Sequence, residues 1–161
     1  VIAVCQETQP LCAALERGGM PISMSGISMQ GILTQLVDSV PEVSLEVRAE
    51  LLAELLARET LSSTGMGAGV AIPHPRTPNS KYATKPEVLI AQLQEPVDWQ
   101  ALDGNPVHTV FLLLNPTPKE HLQILSRLAF LLRQEDFCAL LGRGPCAETI
   151  LATTLELEPR S

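Results

Sequence analysis

The sequence TLSSTGMGAGVAIPHPRTP occupies residues 60–78 and interrupts an otherwise periodic chain. The helical spacing of apolar residues stops at Thr60, and three glycines and three prolines in the stretch mark non-helical backbone. Within it, the apolar run 70–72 (VAI) predicts a short buried strand. We interpret the stretch as a loop around a strand, the kind of segment that often carries functional residues.

Regular elements are predicted on both sides of this stretch. Apolar residues recurring every three or four positions predict helices at 11–17, 29–40, 45–59, 118–133, 136–141 and 145–155. Three polar residues are typical helix N-caps: Ser28, Ser44 and Thr117. Strands are predicted at 21–26, 70–72, 88–93 and 107–114. The last is almost wholly apolar, which is typical of a central strand covered on both faces. Strands alternating with helices predict an α/β domain with a mixed sheet between helical layers.

Composition excludes several classes of protein. The 161 residues carry a net charge of -7, and only 3% are aromatic, which disfavours nucleic-acid binding. No apolar run approaches the roughly 18 residues of a membrane span, and no signal peptide is visible. The four cysteines form no CxxC pair, so we expect free thiols and a cytoplasmic location.

His74 is the first candidate for chemistry. Pro73 and Pro75 fix the backbone on both sides, so the imidazole is presented on a stiff, extended segment. The preceding loop offers backbone N–H groups and hydroxyls that could cradle an anion, with Thr64, Gly65 and Gly67 as candidate phosphate ligands. A plain flexible turn and an ordinary surface histidine are the open alternatives.

Three further side chains belong to the candidate set. His121 falls in the first turn of a predicted helix, where the macrodipole favours a nearby anion; a core histidine is the alternative. Arg58 ends the helix before the loop and could reach an anion near His74. For His108, at the start of the apolar strand, a structural role is favoured.

The segment 58–74 (RETLSSTGMGAGVAIPH) resembles the signature of the enzyme IIA components of the bacterial phosphotransferase system, of the fructose, mannitol and nitrogen-regulatory type. The similarity continues through 96–99 (PVDW), 103–107 (DGNPV) and 110–114 (VFLLL). It reaches His121–Leu122 and Leu125–Ser126, so it covers roughly residues 16–155.

This resemblance implies a mixed five-stranded sheet sandwiched between helices, in a domain at 16–158 that follows a linker or remnant of a preceding module at 1–15. It implies that His74 accepts a phosphoryl group from the phosphohistidine of HPr or a nitrogen-branch counterpart. His121 and Arg58 lie beside it in the family. The phosphoryl group then passes to an enzyme IIB domain, or the phosphorylation state itself is the signal. No metal or nucleotide is required for exchange between two histidines.

Two departures leave alternatives open. The opening residues and the segment 75–78 (PRTP) differ from the usual enzyme IIA pattern and are similar to enzyme IIA-like domains fused behind a DNA-binding module. A non-catalytic module of a larger transcriptional regulator is therefore the alternative function, with its output module lost upstream of Val1. A zinc enzyme using His74, His108 and His121 is a weaker one.

Overall fold

A mixed five-stranded sheet lies at the centre of the described part of the chain. The computed structural model describes residues 8–19, 22–26, 28–144 and 147–160. The strands lie in the order β1-β4-β5-β3-β2, where β1 is Ile22–Met24, β2 Gly65–Gly67, β3 Val70–Ala71, β4 Glu87–Val97 and β5 Val107–Leu114. The pairs β1–β4 and β3–β5 are parallel, and the pairs β4–β5 and β2–β3 are antiparallel. The predicted mixed sheet is confirmed, with 107–114 as its central strand.

Helices cover both faces of this sheet. Within the described ranges they are α1 (Pro10–Gly18), α2 (Met29–Asp38), α3 (Leu45–Leu61), α4 (Pro118–Leu132), α5 (Glu135–Gly142) and α6 (Ala147–Leu157). One core joins α2 and α3 to strand residues such as Leu112. The other joins α1, α4, α5 and α6 to the neighbouring Phe111 and Leu113. Because successive side chains of a strand point to opposite faces, the apolar residues 110–114 of β5 serve both cores.

The three predicted N-caps are confirmed. The hydroxyl oxygens of Ser28 and Ser44 accept hydrogen bonds from the backbone N–H groups of Gly31 and Val47, at 3.1 and 3.2 Å. Thr117 Oγ1 accepts from the N–H of Glu120 at 3.3 Å. These bonds satisfy N–H groups that the first helical turn leaves unpaired. The start of α4 is thereby fixed.

The N-terminal helix is part of the folded domain. Leu11 and Leu15 of α1 are buried in the second core, and the N–H groups of Leu11 and Cys12 each donate to the buried carboxylate of Glu158 at 2.9 Å. Side chains N-terminal to residue 16 therefore contribute to the core, and the predicted domain bounds, 16–158, stay a prediction. Residues 1–7 lie outside the described part.

The expectation of four free thiols is wrong at Cys12, which is disulfide-bonded. Cys138 is a free thiol, and Cys5 and Cys146 lie outside the described residues. Sequence spacing does not show which sulfurs the fold brings together. The absence of a CxxC pair therefore did not predict whether each cysteine is free or disulfide-bonded.

Candidate functional site

His74 lies on an extended segment directly after β3. It stands between Pro73 and Pro75, which are both buried, whereas His74 itself is half-buried. The backbone N–H of Leu113 donates to the carbonyl of Pro73 at 3.1 Å. This bond ties the segment to the central strand, so the imidazole is held by the sheet rather than by a mobile loop.

One ring nitrogen of His74 is already engaged. Its Nδ1 lies 2.8 Å from the carbonyl oxygen of Ile72. A carbonyl oxygen can only accept, so Nδ1 carries the proton of the neutral ring and Nε2 keeps a lone pair. The nucleophilic atom of the neutral ring is therefore Nε2.

His121 is the second imidazole at this place. It lies in the first turn of α4, and its ring centroid is 4.9 Å from that of His74, with the ring planes tilted by 39°. The side-chain nitrogen Nδ2 of Asn115 lies 3.3 Å from its Nδ1. The two histidines singled out in the sequence, 47 positions apart, are thus brought together because α4 packs beside β5.

Both rings are biased towards the neutral form. Burial lowers the pKa of His74, and the positive charge of Arg58 lowers it further, although the Ile72 carbonyl and the Glu59 charge act in the opposite direction. Burial and the neighbouring His74 likewise lower the pKa of His121. A neutral imidazole is the form that acts as a nucleophile or as a metal ligand.

Arg58 lies at the C-terminal end of α3. Its Nη1 donates to the carbonyl oxygen of Ser62 at 2.9 Å, which satisfies a backbone group that the helix end leaves unpaired. The positive charge of Arg58 also contributes to the lowered pKa of His74. The guanidinium retains further N–H donors beyond the one bonded to Ser62.

Glu59 also belongs to the site, although its place in the motif at 58–74 did not indicate a role for it. Its carboxylate accepts hydrogen bonds from Thr64, through the backbone N–H at 3.1 Å and through the hydroxyl, and from Trp99 Nε1 at 3.2 Å. Trp99 Nε1 also lies 3.2 Å from Thr64 Oγ1. Glu59 therefore fastens the start of the glycine-rich segment to the end of α3. The sequence signal that could have identified Glu59 is its position directly after the candidate residue Arg58.

The glycine-rich segment forms a hairpin rather than an open cradle. The N–H of Gly65 donates to Ser63 Oγ at 3.0 Å, and the N–H of Ala68 donates to Asp103 at 3.0 Å. A Cβ on Gly67 would lie 3.0 Å from the same Asp103 carboxylate, whose negative charge opposes an anion there. The phosphate-binding roles of Gly65 and Gly67 stay predictions. The same role for Thr64 also stays a prediction, and its hydroxyl donates a hydrogen bond to Glu59.

His108 lies apart from this pair. Its ring packs against Gly69, which has a φ of +80° and where a Cβ would lie 2.3 Å from the imidazole. Its Nδ1 is 2.8 Å from Thr109 Oγ1. Among the described residues no group of three or more histidine, cysteine, aspartate or glutamate side chains could hold a metal ion. The zinc alternative therefore lacks the ligand cluster that it requires.

The comparison with protein families decides which family this fold represents. Residues 25–155 match the family described as phosphoenolpyruvate-dependent sugar phosphotransferase system, EIIA 2. The chain belongs to this family. As an EIIA-type domain it is a phosphocarrier component of that system, and the resemblance seen in the sequence is confirmed.

Individual relatives agree with this assignment. The domain is 35% identical over 147 residues to a nitrogen regulatory protein of Pseudomonas aeruginosa, covering 89% of this chain and 94% of that protein. The crystal structure of nitrogen regulatory protein IIA-Ntr from Neisseria meningitidis superposes with a TM-score of 0.78 at 31% identity, covering 89% of this chain and 98% of that one.

A more distant neighbour is the Escherichia coli complex of enzyme IIA-mannitol with phosphorylated enzyme IIB-mannitol. It superposes with a TM-score of 0.65 at 17% identity, covering 84% of this chain and 92% of the matched chain. At that identity it supports the fold alone. These relatives give no support to the alternative of a transcriptional-regulator module.

The helices of the described ranges are also informative about membranes. None combines the length and the apolar character that a bilayer span requires.

Proposed function

We propose that this EIIA domain carries its phosphoryl group on Nε2 of His74. The observation that carries the proposal is the hydrogen bond at 2.8 Å between His74 Nδ1 and the Ile72 carbonyl. Because Nδ1 holds the proton, the lone pair of Nε2 is free to attack. Burial lowers the pKa of the ring, so this nucleophile is unprotonated near neutral pH.

The donor in this proposal is the phosphohistidine of HPr or of its nitrogen-branch counterpart. The lone pair of His74 Nε2 attacks phosphorus in line, the new N–P bond forms, and the N–P bond of the donor breaks. The electron pair of the broken bond returns to the donor imidazole, so one phosphorylated ring replaces another. The net charge of -7 favours encounter with a carrier whose surface is basic.

His121 and Arg58 have supporting roles in the proposal. Each presents N–H donors towards the three equatorial oxygens on which transition-state charge accumulates. A hydrogen bond from an N–H of Arg58 to a charged phosphoryl oxygen contributes about 1.5–3 kcal/mol. Arg58→Ala should therefore slow transfer roughly ten- to a hundredfold. A rate within about twofold of wild type would remove Arg58 from the mechanism.

The direct test is transfer from radiolabelled phospho-HPr. Wild type should be labelled with about one phosphoryl group per chain, and His74→Ala should take up none. The matched control is His108→Gln, which changes a histidine outside the pair and should be labelled normally. Labelling of His74→Ala at wild-type stoichiometry would overturn the assignment.

A second stage of the same experiment tests where the phosphoryl group goes next. The IIA–IIB mannitol complex belongs to a protein with the same fold, so we propose an enzyme IIB domain as the acceptor in a sugar-transport role. Loss of label from the domain to added IIB supports transport. Label retained in the presence of a panel of IIB domains favours the regulatory role that the name of the Pseudomonas relative suggests.

A further inference from the structure

Asn115 is a buried polar residue between the central strand and α4. It follows β5 directly and is 2% exposed. Its side-chain Nδ2 lies 3.3 Å from His121 Nδ1, and its backbone carbonyl accepts from the N–H of Asn79 at 3.1 Å. The backbone bond fixes the position from which the amide reaches the imidazole.

The amide restricts where His121 can hold its proton. An NH₂ group donates and cannot accept, so His121 Nδ1 must accept and the proton of the neutral ring lies on Nε2. His74 has the opposite arrangement, because its Nδ1 donates to the Ile72 carbonyl and its Nε2 has the lone pair. One ring therefore presents a nucleophile, and the other, centred 4.9 Å away, presents an N–H.

We infer that Asn115 is a positioning residue that fixes the tautomer of His121, so that His121 Nε2–H donates to an oxygen of the phosphoryl group on His74. This inference rests on the proposed function of His74. The opposite amide orientation would place the proton of His121 on Nδ1. Its Nε2 lone pair would then repel a phosphoryl oxygen instead of binding it.

The other end of the amide supports this role. The oxygen Oδ1 of Asn115 is buried and has no hydrogen-bond partner among the described residues. Leaving a buried acceptor unpaired is unfavourable, whereas a leucine of similar shape would avoid that penalty. We therefore attribute the presence of an amide at position 115 to its hydrogen bond with His121.

The neutrality of Asn115 is part of the same arrangement. A carboxylate there would accept a hydrogen bond from Nδ1–H of His121, and its negative charge would favour the imidazolium. The amide holds His121 as a neutral donor. A neutral donor can release the phosphoryl group to the next acceptor without breaking an ion pair.

The tautomer can be measured without any phosphoryl transfer. Nitrogen-15 NMR of the unphosphorylated protein should give His121 a pyridine-type Nδ1 and a protonated Nε2. Asn115→Leu should turn this into a mixture of tautomers, and Asn115→Asp should move the proton to Nδ1. A wild-type His121 with its proton on Nδ1, or a tautomer unchanged in both variants, overturns the inference.

The kinetic arm measures transfer from radiolabelled phospho-HPr. Asn115→Leu should slow transfer about three- to tenfold, as expected for one hydrogen bond, with His74 still the labelled residue. In a His121→Ala background the same substitution should have almost no further effect. Equal slowing in both backgrounds would show a merely structural role and overturn the inference.

The two proposals fail in different ways. If wild-type protein takes up no label on His74, the proposed function fails and the transfer role of Asn115 fails with it, whatever the tautomer. If His74 is labelled but the tautomer or the rate is insensitive to Asn115, only the inference fails. The backbone amide NMR spectrum of each variant checks that the fold is retained.

Discussion

Glu59 offers the sharpest test of how the site is held together. Replacing it with alanine removes the acceptor of the Thr64 N–H, the Thr64 hydroxyl and Trp99 Nε1. Thr64 and Trp99 are 3% and 2% exposed, so water does not readily replace the lost oxygen atoms. The indole N–H of Trp99 keeps the Thr64 hydroxyl oxygen as an acceptor at 3.2 Å. The Thr64 N–H and O–H both lose the only acceptor described for them.

The magnitude follows from these contacts. A buried N–H without an acceptor costs about 1–3 kcal/mol, and a bond to a charged acceptor contributes about 1.5–3 kcal/mol. Because Glu59 is only half-buried, part of the loss is recovered by solvent. We therefore expect Glu59→Ala to lower the free energy of unfolding by about 2–4 kcal/mol, a large part of the roughly 5–15 kcal/mol of a typical domain.

The assay is urea unfolding followed by tryptophan fluorescence, since Trp99 is the single tryptophan of the chain and lies at the altered contact. Far-UV circular dichroism should give the same transition. The matched control is Glu46→Ala, an exposed glutamate in the first turn of the same helix, with an expected loss below about 1 kcal/mol. If Glu59→Ala loses no more stability than Glu46→Ala, the anchoring role of this carboxylate is refuted.

Three other outcomes are expected. Burial lowers the pKa values of all three histidines, so around and below pH 6.5 these imidazoles bind more protons in the unfolded chain than in the native one. The burial-raised pKa of the single carboxyl of Glu87 acts in the opposite direction towards lower pH. The free energy of unfolding should therefore fall as the pH drops from 7 to 5; a constant value across that range would contradict this. Gly69→Ala should destabilise by more than the backbone strain of about 1–3 kcal/mol, because its Cβ would meet His108 at 2.3 Å. Gly104→Ala isolates the strain, since its φ is +73° in open space, and equal losses in the two variants would rule out the clash. Glu158→Ala leaves two N–H groups of α1 and the Arg127 guanidinium, 3.0 Å away, without the buried carboxylate. It should lower the free energy of unfolding by about 3–5 kcal/mol, and thermal melting at wild-type temperature would contradict that.

Local sequence determined the elements of this protein. The caps at Ser28, Ser44 and Thr117 lie where helices begin, because capping is satisfied within a few residues of chain. The almost wholly apolar segment 107–114 forms the central strand, because a strand buried on both faces favours a near-continuous apolar sequence. The prolines around His74 likewise restrict its backbone to extended conformations, independently of how the chain packs.

Only tertiary structure decided what these elements bring together. The glycines at 65 and 67 have the conformational freedom of an open loop, but their hairpin is set by contacts with Ala101 and Asp103, more than thirty positions away. The burial of α1 also depends on a distant partner, the carboxylate of Glu158, which accepts from the N–H groups of Leu11 and Cys12. The contact at His121 also depends on packing, because the Asn115 amide after β5 comes within 3.3 Å of Nδ1 only when α4 packs beside that strand. The contact at His74 is local by comparison, since the Ile72 carbonyl that holds its Nδ1 is two residues away along the chain.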